Sequence, residues 1–476
     1  MTVSSSLAFA LSAGIFVLQV VGAVMAFRAI RTARTPQGAV GWATFLLLVP
    51  YLALPAYLIF GDVRYPGMVR KRKLSETVVG GRRGRLAAAR LLRETGEGER
   101  LRHGFEAIAE EASVEGNAAE LLVAGDTAFP AVFAAIGEAR RRVVIETYIL
   151  RDDGLGRALQ ELLLRKVGEG VRVCVLYDPF GSHGLDRGYL TRMREGGIEV
   201  VDFHARHRTR LLTTRRLNFR NHRKIAVIDG AVAFTGGYNW GDEYVGRDVR
   251  LGPWRDTLVR LEGPIAARFE ALFAEDWHWA TGEVLDLGPP AAAVAGGVAA
   301  LALASGPADP REPGSLFFEH AITAAQRRIW IASPYFAPDP GLMTALRMAV
   351  LRGVDVRVLM AGRRDHWLVW LAAFAFLDEM RGSGVAIHRW QDGFMHQKVL
   401  LVDDTAAAIG SHNLDARSCR LNFEASAVIF DAAFARRVEA MLAADFAAAP
   451  RHDRPLAEEP PALRLAAPVA RLFAPI

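Results

Sequence analysis

The sequence predicts an α/β protein in which two duplicated α/β domains pack pseudo-symmetrically, preceded by an N-terminal two-helix membrane hairpin. Three observations carry this expectation. Two apolar runs without charge open the chain. An α/β pattern is then written twice, with a period of about 175 to 185 residues. Each copy closes on the same polar motif. The hairpin covers 1–65, with helices over about 7–28 and 39–60, and a linker with a helix covers 66–115. The first α/β domain covers 116–288, a linker 289–315, the second domain 316–447 and a tail 448–476.

The first run, Leu7 to Phe27, has 21 uncharged residues, enough to cross the hydrocarbon core at ~1.5 Å per residue. After a loop with Arg28, Arg31 and Arg34, Ala39 to Phe60 adds 22 more, with Trp42, Tyr51 and Tyr57 as interfacial or packing aromatics. Pro50 and Pro55 predict a kink there, or a segment that dips rather than spans. A signal peptide is disfavoured, because no basic stretch precedes the first run and a second run follows it. A hairpin leaves both chain ends on one side. Arg64, Arg70, Lys71, Arg72 and Lys73 put that side in the cytoplasm, against the three loop arginines. Heavy Arg and Ala use points to a GC-rich bacterial genome. The expected location is a bacterial inner membrane, multi-pass, with the α/β body facing the cytoplasm.

The 476 residues are 51% hydrophobic, which excludes a disordered or acidic solvating chain. With 58 basic and 52 acidic side chains the net charge of +6 suits an anionic partner: phosphate, nucleic acid or acidic lipid. Cys174 and Cys419 are the only cysteines, which excludes a disulfide scaffold and a cysteine zinc module and fits a reducing compartment. Among the 58 basic residues only Lys71, Lys73, Lys166, Lys224 and Lys398 are lysine. A lysine in such a chain marks a place where arginine does not serve.

The body alternates helix and strand. A helix over Ala131 to Ala139 precedes a strand over Arg142 to Ile149, then a helix over Gly156 to Val167 and a buried strand over Gly170 to Asp178. The second copy runs helix Glu319 to Arg327, strand Arg328 to Tyr335, helix Leu342 to Leu351 and strand Gly353 to Leu359. The join, 289–315, is rich in Ala, Gly and Pro, and the Ala- and Pro-rich tail is peripheral.

The polar motif is Asn221-His222-Arg223-Lys224 with Asp229, Gly236, Gly237 and Asn239. Its second copy is His396-Gln397-Lys398 with Asp403, Gly410, Ser411 and Asn413. Both read H-x-K-x4-D-x6-G-[GS]-x-N, and they use two of the five lysines. On a strand, His222 and Lys224 share a face, as do His396 and Lys398. Asp229 and Asp403 complete the candidate catalytic set, but Asp229-Gly230 is also a tight-turn signal, so their role is read as mainly structural. Gly236 and Gly237 allow close backbone approach, Ser411 stands at the matching place of the second copy as a further phosphate-binding or supporting residue, and Asn239 and Asn413 supply neutral amide donors. Such a set suits a phosphodiester. Lysine and asparagine stabilise the growing charge, one histidine attacks phosphorus and the other protonates the leaving oxygen. No carboxylate cluster or H-x3-H array suggests a metal, so no metal and no cofactor are expected.

The paired motif resembles the phospholipase D superfamily. Several flanking blocks resemble, within it, the bacterial cardiolipin synthases: Gly236 to Tyr244, Trp254-Arg255-Asp256-Thr257, Ser333 to Asp339, Ser411 to Ser418 and Asn422-Phe423-Glu424. The resemblance runs from the hairpin to about residue 445 and implies phospholipase D-like folds for both α/β domains. It implies that two phosphatidylglycerols give cardiolipin and glycerol through a phosphatidyl-histidine, with His222 as nucleophile and His396 as acid, then base. It also implies that Asp256 and Glu424 hold the histidine rings. Met395 and His412 depart from the usual pattern, and His412 adds a titratable group near the site. The implied partners are phosphatidylglycerol and anionic membrane lipid, not nucleic acid, with a homo-oligomer left open. Arg-rich His204 to Lys224 is a headgroup-docking segment or a solvated face. Trp367 to Leu377, apolar all round, is a buried helix or part of the acyl-chain entrance. The rival readings are a phospholipase D hydrolase, another phosphatidyltransferase of the superfamily, and a nuclease.

Overall fold

The computed structural model describes residues 2–33, 36–61, 97–207, 219–309 and 311–473, and its contacts divide the chain into an N-terminal hairpin and an α/β body. Arg34, the basic cluster from Arg64 to Lys73, and Arg208, Arg210, Arg215 and Arg216 lie outside the described residues.

In the hairpin, α1 runs Thr2–Thr32, longer than the expected 7–28. The second apolar run is not one helix over 39–60. It is α2 Pro36–Leu48, α3 Pro50–Ala56 and a π-helical turn Tyr57–Gly61. Pro50 has no N–H to continue the ladder and its ring clashes with the carbonyl four residues back, so the helix restarts there, with Val49 at φ −137. Thirteen residues of α2 reach about 20 Å, short of a ~30 Å core. Among the described residues one helix, over Phe9–Thr32, is long and apolar enough to cross a membrane. The multi-pass expectation is therefore corrected to one candidate span followed by a broken return. The return packs on α1: a Cβ on Gly22 would lie 2.6 Å from the Leu46 carbonyl oxygen, and Ala26, Ala29, Leu46, Ala53, Leu54 and Tyr57 are buried together.

Among the described residues, the main sheet of the body runs through fourteen strands. The first half has β1 Val114–Val123, β2 Arg142–Thr147, β3 Arg172–Tyr177, β4 Glu199–Asp202, β5 Ile225–Ile228, β6 Val232–Gly236 and β7 Thr257–Glu262. The second has β8 Val298–Ser305, β9 Arg328–Ala332, β10 Asp355–Ala361, β11 Ala386–Trp390, β12 Val399–Val402, β13 Ala406–Gly410 and β14 Asn422–Phe430. Their spatial order is β11-β10-β9-β12-β13-β14-β8-β1-β7-β6-β5-β2-β3-β4. Each half thus repeats one topology, and β1 and β8 pair antiparallel where the halves meet, Val114 opposite Ala300 and Asn117 opposite Val298.

In each half three strands are parallel and the rest antiparallel: β2 with β3 and β3 with β4, then β9 with β10 and β10 with β11. The parallel strands β2 and β3 are buried along nearly their whole length because helices cover both faces. The helix Gly154–Gly168 crosses between β2 and β3, capped by Asp153, whose carboxylate accepts from the Gly156 N–H at 3.0 Å. Its counterpart Pro340–Leu351 is capped by Asp339 accepting from the Leu342 N–H at 2.9 Å. Two apolar cores result, one per half. The stretch 289–315 is more than a join, since it carries β8, which pairs with β14 from Ala299 opposite Phe430 to Ser305 opposite Glu424.

Candidate active site

The two H-x-K segments lie just before β5 and β12, in irregular chain rather than on the strands. Both lead to the seam between the halves. The His222 N–H donates to the Phe423 carbonyl at 2.9 Å, and the His396 N–H donates to the Arg255 carbonyl at 2.8 Å. Each segment is thus pinned by the opposite half.

The orienting carboxylates also cross over. His222 Nδ1 faces Glu424, 2.9 and 3.0 Å from its two oxygens, and His396 Nδ1 faces Asp256 Oδ2 at 2.9 Å. An ionised carboxylate only accepts, so each ring carries its proton on Nδ1 and keeps the Nε2 lone pair free. The carboxylates are themselves held. Glu424 accepts from Ser418 Oγ at 2.7 Å and Asn422 Nδ2 at 3.1 Å, and Asp256 accepts from the Thr257 N–H at 2.8 Å and Trp254 Nε1 at 3.3 Å. A Cβ on Gly237 would meet Asp256 Oδ1 at 2.0 Å, so glycine is required for that carboxylate to approach. The same argument covers Gly236, where a Cβ would lie 2.3 Å from the Thr257 carbonyl oxygen.

Burial sets the charges. It lowers His222 to about 4 despite the pull of Glu424, and holds His396 well below the usual histidine range, with Lys398 and Lys224 adding to the effect. Both rings are neutral near pH 7. Burial also lowers Lys224 to about 8 and Lys398 to about 7, against the attraction of Glu424 and Asp256. Burial works to raise Glu424, but His222 and the cations around it hold it at about 2, while burial lifts Asp256 to about 6. Lys224 Nζ donates to the His222 carbonyl at 2.9 Å, and Lys398 Nζ donates to the His396 carbonyl, so each ammonium is anchored beside its histidine.

The remaining candidates divide. Asp229 and Asp403 lie at the far ends of β5 and β12, roughly 13 Å along a four-residue strand from the histidine segments. Each has positive φ, +56 and +50, and each carboxylate collects a row of backbone N–H groups. Asp229 takes those of Arg140, Arg141 and Arg142, all at 2.8 Å, and Asp403 takes those of Gln326, Arg327 and Arg328. These are turn anchors away from the histidines. Ser411 Oγ is bonded to the Ala425 backbone. Asn239 is committed, its Nδ2 donating to Tyr244 Oη at 2.7 Å and its Oδ1 accepting from the Ile149 N–H at 3.2 Å. Asn413 differs, because its buried Oδ1 meets no donor among the described residues. His412 is a satisfied core residue, with Nδ1 2.8 Å from Ser426 Oγ and Nε2 2.9 Å from Ser305 Oγ. Arg223 and Lys224 are buried, not on a docking face; Arg223 pairs with Asp276 at 2.5 Å.

Some neighbours were not singled out from sequence. Tyr148 meets the His222 ring edge-on at 5.0 Å, while Trp254 and Phe394 lie 5.2 and 6.1 Å from the His396 ring. Only the Trp254 block gave a signal. The helix Trp367–Met380 is buried from Ala372 to Leu377, as the buried-helix reading expects, and exposes Trp367 and Leu368 at its start. Among the described residues no group of three His, Cys, Asp or Glu side chains is placed to hold a metal ion. The arrangement can therefore attack a phosphodiester with a neutral imidazole, flanked by buried ammonium groups.

Proteins of similar sequence and fold are known. The family described as "Cardiolipin synthase, PLD-like domain" matches residues 132–277 and 318–446, once in each half. The chain is 46% identical over 440 residues to a cardiolipin synthase A of Pseudomonas putida strain GB-1, covering 90% of each chain. It is 45% identical to that of Pseudomonas aeruginosa strain LESB58, over 90% of this chain and 88% of the relative. A phosphatidylserine synthase of Haemophilus influenzae Rd KW20 shares the fold, with a TM-score of 0.61 at 13% identity over 80% of this chain and 100% of that one.

Proposed function

The chain belongs to the phospholipase D-like cardiolipin synthase family, and we propose that it transfers a phosphatidyl group between two phosphatidylglycerols through His222 and His396. It is a phosphatidyltransferase of the cardiolipin synthase type. His222 Nε2 attacks the phosphorus of the first phosphatidylglycerol. The bond to the glycerol oxygen breaks, and His396, charged once the anionic substrate is bound, protonates the departing glycerol. The phosphatidyl-histidine then meets the primary hydroxyl of a second phosphatidylglycerol. His396 takes that proton, the new P–O bond forms, the P–N bond breaks, and cardiolipin leaves. Lys224 and Lys398, with the Nδ2 amide of Asn413 as a neutral donor, stabilise the non-bridging oxygens. The crossed pairs of His222 with Glu424 and His396 with Asp256 carry the reading, because they free both Nε2 atoms at one seam.

We place the protein in the bacterial inner membrane, held by α1, with the α/β body in the cytoplasm. No metal is assigned a role. The test is product analysis with phosphatidylglycerol vesicles in the presence of a chelator. Cardiolipin and glycerol in equal amounts support the reading. Phosphatidic acid without cardiolipin makes the protein a hydrolase instead.

A further inference from the structure

The two halves differ where their topology makes them equivalent. Gly170-Val171-Arg172-Val173 and Gly353-Val354-Asp355-Val356 lead into matching strands, β3 and β10. The loop after β3 carries Phe180 and Gly181, and the matching loop after β10 carries Arg363 and Arg364. Loops at the carboxyl ends of parallel strands are where α/β sheets bind ligands.

Both arginines line a cleft of about 1010 Å³. The carboxylates of that cleft are already engaged: Glu243 with Arg151 at 3.4 Å, Asp248 with Arg250 at 2.9 Å, and Asp365 with the Tyr335 hydroxyl. Among the described residues no carboxylate pairs with Arg363, which donates to the Leu251 carbonyl at 3.3 Å. None pairs with Arg364, whose guanidinium lies 3.5 Å from the centre of the Trp367 ring. The cleft adjoins the His396 end of the site. A Cβ on Gly252 would lie 3.0 Å from Arg363 Nη1, and Trp254, two residues on, is 5.2 Å from the His396 ring.

In the reaction above, the alcohol leaves and enters opposite His222, on the His396 side. The departing glycerol is neutral. The entering one carries a phosphodiester three carbons from the attacking hydroxyl, and a guanidinium pair is matched to that anion. We propose that Arg363 and Arg364 bind the phosphodiester of the acceptor phospholipid, so that the cleft selects an anionic lipid alcohol over glycerol or water. This inference rests on the synthase reading.

The test compares Arg363→Gln, Arg364→Gln and the double variant with wild type in phosphatidylglycerol vesicles. Two rates are read: cardiolipin formation, and exchange of labelled glycerol into phosphatidylglycerol. Exchange uses the same histidines and donor site but an acceptor without phosphate. The ratio of cardiolipin formation to exchange is expected to fall about tenfold or more in the double variant. Arg→Lys at either position is expected to restore part of it. A parallel loss of both rates overturns the proposal, because the arginines then serve the shared donor site or the fold. An unchanged ratio also overturns it. A wild-type protein that exchanges glycerol yet makes no cardiolipin overturns the synthase reading itself, and the subsite with it.

Discussion

Glu424 and Asp256 decide the tautomer of the two histidines, and each does so from the opposite half. An amide in place of either carboxylate presents a donor to Nδ1 and turns the ring so that Nε2 carries the proton. Glu424→Gln is therefore expected to cut cardiolipin formation about 100-fold or more, with the protein still folded by circular dichroism. His222→Ala and His396→Ala are expected to cost at least about a thousandfold each, read in the same assay. The lysines, together with the charged form of His396 that acts as the acid, set the alkaline limit. Lys398 and Lys224 are charged only below about 7 and about 8, so the rate is expected to fall as pH rises through that window. On the acid side His222 stays neutral down to about 4, so the nucleophile itself imposes no loss just below neutrality. A pH–rate profile in vesicles checks both limbs, and a rate that climbs from pH 7 to 9 contradicts the lysine assignment. The two histidines and two lysines proposed to carry the reaction were legible as a set because they recur at one spacing in both halves. The crossing of Glu424 and Asp256 was not, since sequence spacing carries no information on which half a side chain faces.

At the scale of elements, the turns after β5 and β12 depend on aspartates that the motif groups with the catalytic residues. Asp229→Ala leaves three backbone N–H groups without their acceptor, and a loss of about 2–4 kcal/mol is expected in denaturant unfolding. The Asp-Gly signal made that turn legible beforehand. The strands β2, β3, β9 and β10 were equally legible, as short apolar runs between helices. The strand β8 was not, because Val298–Ser305 is alanine-rich and alanine is a poor strand former; pairing with β1 and β14 makes the strand. The break in the second apolar run was half legible. A count of uncharged residues sees length, whereas Pro50 acts through a missing N–H.

For the molecule as a whole, the duplicated fold places one histidine from each half at a single seam, and neither half holds a complete site. Each ring takes its orienting carboxylate, and each histidine's main-chain N–H its carbonyl acceptor, from the other half. Either half expressed alone is therefore expected to be inactive even if it folds. The most direct measurement of the two-histidine account is capture of the covalent intermediate. Phosphatidylglycerol labelled in its phosphatidyl group is mixed with the protein, the reaction is quenched in alkali, where phosphohistidine persists, and the labelled peptide is mapped. The account predicts label on His222, none in His222→Ala, and slow release from the labelled enzyme in His396→Ala. Label on His396, or turnover to cardiolipin with no labelled peptide at all, contradicts it.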